Sequence, residues 1–254
     1  MQSSFLMLLF VGAMAAAALA GMAVRKRLPQ HHTEDSSRDA ILRSVGLVVT
    51  LSAIVLGFLV GSAKSYYGAV EDQLTEIASD AAMLDRLLTR YGTEAEPARQ
   101  VLRQSIGLAA GAIWPGHQSS LQQSGAGSES GLQVSERLAD AIEALPDGDA
   151  HRTRLREQAL GQLADMQHSG FKLSRIAQSR PQAPTLAVVV SWLVIIFFGF
   201  GLVSPETGTA RASMILAVVA SAGALFLILE LYTPVSGLLQ IQPAILEDAL
   251  PPLR

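Results

Sequence analysis

Ser44-Val45-Gly46-Leu47-Val48-Val49-Thr50-Leu51-Ser52-Ala53-Ile54-Val55-Leu56-Gly57-Phe58-Leu59-Val60-Gly61-Ser62-Ala63 carries no charge and is closed by Arg43 on one side and Lys64 on the other. A run of about 20 apolar residues matches a hydrocarbon core of about 30 Å at a helical rise of 1.5 Å per residue. A soluble amphipathic helix of that length would show a polar face, and this run has none. In lipid the backbone must satisfy its own hydrogen bonds, so the run reads as a membrane-spanning helix. Beyond Lys64 the pattern changes. Val70, Leu74, Ile77, Ala81, Leu84 and Leu88 step by alternating fours and threes, a heptad seam for helix-on-helix packing. No proline separates seam from span, so the second span continues as one long helix to about Arg90. Tyr91-Gly92 ends it, with Gly at the C-terminal stop.

Three more apolar runs share the character of the first. One covers residues 5–24 and stops at Arg25-Lys26-Arg27. Another covers 185–204, after Pro181 and Pro184, and the last covers 212–231, after Arg211. Four transmembrane helices therefore flank one extramembrane insert over 65–180, an all-α architecture. For the first run a cleaved signal is the rival reading, since Ala18-Leu19-Ala20 precedes Gly21. The run is long for a signal, and residues 1–4 carry no Lys or Arg.

The whole composition agrees with a membrane chain. Of 254 residues, 50% are hydrophobic and 16% charged, against roughly 25% charged in soluble domains. A net charge of −3 argues against nucleic acid as a partner. With no cysteine there is no disulfide, thiolate site or cysteine nucleophile.

The insert reads as helical throughout. Pro97 opens a second helix near its first turn, with Leu102, Ile106, Ala109 and Ile113 on its apolar face, and Pro115-Gly116 ends it. Residues 117–131, rich in Ser, Gln and Gly, read as a loop. A third helix covers about Val134 to Leu145. Pro146-Asp147-Gly148 is a turn, and Asp149 is the N-cap of a fourth helix running to about Gln178. Leu155, Ala159, Leu163, Met166, Leu173 and Ile176 face inward on that helix.

No residue set declares chemistry. His31, His32, His117, His151 and His168 lack the spacing of a metal site, and no HExxH, GxSxG or GxxxxGK[ST] occurs. The chain reads as a non-enzyme with no cofactor. Glu71, Asp72 and Glu76 could hold a cation, but a solvated helix face explains them as well. His151, Arg152, Arg154 and Arg156 form a short basic cluster. Gly57 and Gly61 make a GxxxG pair, read either as packing among the four spans or as a subunit interface. Glu230 is the one charge at membrane depth, at the last turn of its span, where a capping role at the interface is expected.

The loop from Arg25 to Arg43 holds Arg25, Lys26, Arg27, Arg38 and Arg43, and residues 1–4 hold no cation. The positive-inside rule places that loop in the cytoplasm.

Two stretches resemble the bacterial bestrophin-like family, a membrane domain of roughly 250 residues and unknown function. One is Leu56-Gly57-Phe58-Leu59-Val60-Gly61-Ser62-Ala63-Lys64 running on to Ala82-Met83-Leu84-Asp85-Arg86-Leu87-Leu88-Thr89-Arg90-Tyr91-Gly92. The other is Gly223-Ala224-Leu225-Phe226-Leu227-Ile228-Leu229-Glu230-Leu231-Tyr232-Thr233-Pro234-Val235-Ser236-Gly237-Leu238, on to Ile241 and Pro243-Ala244-Ile245-Leu246. Family members are expected to carry Asp and Phe where this chain has Tyr232 and Val235. The resemblance spans nearly the whole chain and implies a single domain over 1–254. Bestrophins are pentameric anion channels whose second span lines the pore and whose helical domain lies in the cytosol. The resemblance thus implies a bacterial inner-membrane homo-oligomer passing small inorganic ions. It also implies a cytoplasmic insert, against the charge count. Ile54 and Phe58 fit a constriction one turn apart on the second span, and Ser62 occupies the next turn. The alternative is a non-channel scaffold or signalling protein whose insert docks a partner.

Overall fold

The computed structural model describes residues 2–27, 35–114, 131–146, 149–178, 183–205 and 207–250. The expected loop at 117–131, the turn at Asp147-Gly148, the breaker Pro181 and the His31-His32 pair lie wholly or largely outside the described residues. Described elements are helical: α1 (Gln2–Arg27), α2 (Asp35–Tyr91), α3 (Glu96–Ile113), α4 (Gly131–Glu143), α5 (Ala150–Gln178), α6 (Ala183–Val203), α7 (Gly208–Leu231) and the short α8 (Ala244–Glu247). Four of them, α1, α2, α6 and α7, have the length and apolarity to cross a membrane.

The long second helix is present without a break over 57 residues. It stops where Gly92 turns the chain, at φ 126°, a left-handed conformation that an L side chain rarely adopts. A 3₁₀ turn, Thr93–Ala95, then leads into α3, whose first turn holds Pro97. Sequence periodicity gave no sign of that turn, nor of α8. The fourth span begins earlier than residue 212. Thr207 caps α7, its side chain accepting from the Ala210 amide at 3.3 Å.

The chain divides into two compact units, residues 1–66 with 180–233 and residues 67–179 with 234–254. In the first, α1 packs on α6 and α7. The contact of α1 with α6 is made by glycines. A Cβ on Gly21 would collide with Phe198 O and lie 2.9 Å from Leu202 N. A Cβ on Gly201 would collide with Ala18 O and lie 3.1 Å from Met22 N. The backbones approach closely because neither position carries a side chain. Gly199 likewise admits the Val45 side chain of α2. The Arg25 guanidinium donates to Ser204 O and ties the end of α1 to the α6–α7 turn.

In the second unit the heptad seam forms the core. Val70, Leu74, Ile77, Ala81, Leu84 and Leu88 are all buried. So are Leu102, Ile106 and Ala110 of α3, and Leu155, Ala159 and Leu163 of α5. The face of α3 turns slightly from expectation, with Ala110 rather than Ala109 fully inside. Asp149 caps α5 as its sequence position implies, accepting from the Arg152 amide at 3.0 Å. Polar pairs lock the bundle. Arg99 donates to both carboxylate oxygens of Asp85, at 2.9 and 3.3 Å. Trp114 Nε1 donates to Ile241 O at 2.8 Å and holds the C-terminal segment against α3.

Candidate functional site

The membrane half of α2 has two faces of different fate. Val45, Ser52, Leu59, Ala63 and Tyr66 are buried within the first unit. Ile54 is 66% exposed and Phe58 75% exposed. They stand one turn apart on one face, with Gly57, Gly61 and Ser62, also exposed, alongside. A helix in a bilayer exposes apolar side chains to lipid, to another subunit or to a pore. The structure therefore brings the three candidate constriction residues together on a single uncovered strip.

A Cβ on Gly57 or on Gly61 would meet nothing within 4 Å. Packing of this pair against another span of the same chain is therefore not what the structure shows. The close intramolecular approaches belong to Gly21, Gly199 and Gly201. Spacing alone left the pair open between packing within the chain and a subunit interface, and it did not single out Gly21, Gly199 and Gly201, because the partner helix is not legible from one helix's sequence.

Ser62 is engaged from the side. The Tyr232 hydroxyl donates to its Oγ at 3.2 Å, and the Tyr232 ring lies 5.4 Å from that of Tyr66. Glu230, two residues earlier, is 4% exposed. It lies inside the packed unit rather than at a wet interface, and it has an interaction partner. Expectation placed it at the membrane surface, since the last turn of a span usually reaches the headgroups.

Elsewhere the charged candidates are occupied locally. Glu76 accepts from Gln73 at 2.6 Å and lies 3.5 Å from Lys172. Arg152 reaches Glu94 at 3.1 Å and sits over the Tyr91 ring. Arg154 and Arg156 donate to the carbonyls of Ala150 and Leu145. Among the described residues no three His, Asp or Glu side chains are grouped to hold a metal ion. Asp80 is a node that sequence reasoning missed. It accepts from Gln162 at 2.8 Å and from Ser169 at 3.2 Å. Burial pushes its carboxyl above the usual aspartate range, and the charges of Glu76 and Asp165 add to the rise. Its partner Ser169 on α5 is buried, and a polar residue on that helix's apolar side is a signal the sequence offered.

A helical membrane protein with an insert between its second and third spans is the class these features define. The Bestrophin-like domain model matches residues 12–246, and the chain belongs to that family. Its fold is similar to the crystal structure of a bacterial Bestrophin homolog from Klebsiella pneumoniae, at a TM-score of 0.69 and 14% identity. That match covers 98% of this chain and 96% of the other. No match was found among curated proteins.

Proposed function

We propose that copies of this chain assemble in the bacterial inner membrane into a homo-oligomeric channel for small inorganic ions, with anions the favoured class by family resemblance. The uncovered strip of α2 carries this reading. Ile54 and Phe58 form an apolar step, and apolar constrictions gate by dewetting. Neighbouring copies would approach along Gly57 and Gly61, where no side chain intervenes. The rival scaffold reading needs an unpartnered apolar stripe on the insert. The heptad seam of α2 does not supply one, being closed within the insert, with Leu84 at 0% and Leu88 at 1% exposure.

Purified protein reconstituted in planar bilayers tests the proposal. Single-channel currents altered by Phe58→Ala support it. Silent bilayers from a folded, homogeneous oligomer refute it, and silent protein that co-purifies with a partner favours the scaffold.

The proposal takes the insert to be cytoplasmic, as the family resemblance implies and against the charge count. The absence of cysteine makes this directly measurable. A single cysteine introduced at Ser174 should resist membrane-impermeant thiol reagents in intact cells, and labelling from outside would reverse the orientation.

A further inference from the structure

Within the first unit, α1 and α7 leave a groove of about 650 Å³ between them, within the usual range of ligand clefts of about 300–1,000 Å³. Its wall is apolar: Val11, Ala15 and Leu19 from α1, and Met214, Ile215 and Val218 from α7. Leu19 and Ile215 are more than half exposed, so the chain itself leaves the groove open. At one end the character changes. Arg25, Lys26 and Arg211 line that end, and no carboxylate occurs among the described lining residues.

Two dimensions agree with one kind of occupant. The α1 wall from Val11 to Met22 is about 16 Å long at 1.5 Å per residue. That is close to half of a hydrocarbon core of about 30 Å, the depth of one leaflet. The three cations follow immediately, at the level where headgroup phosphates sit. Arg25 is held in place by its bond to Ser204 O, and a guanidinium with five N–H donors keeps others for an anion. Basic pockets between transmembrane helices bind anionic headgroups.

We propose that the α1–α7 groove holds an anionic glycerophospholipid, its acyl chain along the apolar wall and its phosphate among Arg25, Lys26 and Arg211. The site does not depend on ion conduction, and its readout is binding rather than current.

The test titrates the full-length protein in detergent with dioleoyl phosphatidylglycerol and, separately, dioleoyl phosphatidylcholine, followed by native mass spectrometry. Phosphatidylglycerol should bind more tightly, and Lys26→Gln with Arg211→Gln should weaken it about twenty-fivefold, at about a factor of five per charge. Leu19→Trp, at an exposed position that leaves the fold intact, should weaken both lipids by blocking the acyl track. Equal affinity for the two lipids would overturn the proposal, as would an unchanged affinity in the double variant. Displacement of phosphatidylglycerol by equimolar inorganic phosphate would reduce the site to a plain anion site. An oligomer that dissociates with Ile215→Trp while lipid binding persists would assign the groove to a second copy.

Discussion

The Tyr232 hydroxyl donates a 3.2 Å hydrogen bond to Ser62, linking the end of α7 to the turn of α2 directly after the Ile54–Phe58 step. Family resemblance leads one to expect an aspartate at this position. Here a tyrosine supplies a neutral donor and a ring against Tyr66. The membrane unit thereby gains a polar tie between α2 and the end of α7.

Removing that tie should be measurable. Tyr232→Phe and Ser62→Ala should each lower stability by about 1 kcal/mol, the net worth of an ordinary hydrogen bond. The double variant should cost little more than either single one, since both remove the same interaction. Thermal unfolding in detergent reads this directly, and full additivity would show that the bond contributes nothing.

Two sets of glycines should behave oppositely. Gly21→Ala or Gly201→Ala forces a Cβ into backbone atoms of the facing helix, and overpacking of this kind costs about 1–3 kcal/mol. Gly57→Ala and Gly61→Ala meet open space within the chain, so the protomer should keep its stability. Any effect of the second pair should appear in oligomer size by light scattering. A loss of protomer stability there would place those glycines in intramolecular contact after all.

The seam should be costly to hollow. Leu84 is fully buried, and Leu84→Ala should destabilise the helical insert by about 2–5 kcal/mol. Met83, the adjacent exposed residue, supplies the control, and Met83→Ala should change stability far less. Comparable losses at the two positions would contradict the register of α2.

Asp80 gives the insert a pH dependence of definite sign. Burial raises its folded-state pKa, so the folded form takes up a proton more readily than the unfolded chain. Stability should therefore fall as pH rises from the ordinary aspartate value through the raised one. Asp80→Asn removes the ionisation and should flatten that part of the profile, read by thermal melts across about pH 4 to 6. Identical slopes in the parent and the variant would assign the dependence to other carboxylates.

Phe58→Ala shortens the apolar step on α2 and should raise unit conductance if the strip lines a pore, since dewetting weakens as the constriction widens. Ile54→Ala should act in the same direction, whereas substitution of Leu216, exposed on α7, should not.

Much of this architecture was legible in the residues alone. Four long apolar runs, with Glu230 near the end of the last as the one charge inside them, forced four spanning helices, because an unpaired peptide group in hydrocarbon is too costly to leave exposed. The unbroken step from Ser44 through Leu88 implied one helix shared by membrane and insert, and the left-handed Gly92 ended it where the sequence indicated. Local signals of this sort, such as run length, heptad spacing, a glycine stop and the Asp149 cap, act within a turn or two of the chain. Tertiary structure decided what depends on facing partners. It chose Gly21 and Gly201 over Gly57 and Gly61 for close approach, buried Glu230, set Tyr232 on Ser62, and joined Asp80 to α5. It also left the Ile54–Phe58 strip uncovered. Each of those outcomes rests on residues far apart in the chain meeting across two helices, and the spacing along a single helix carries no record of its partner.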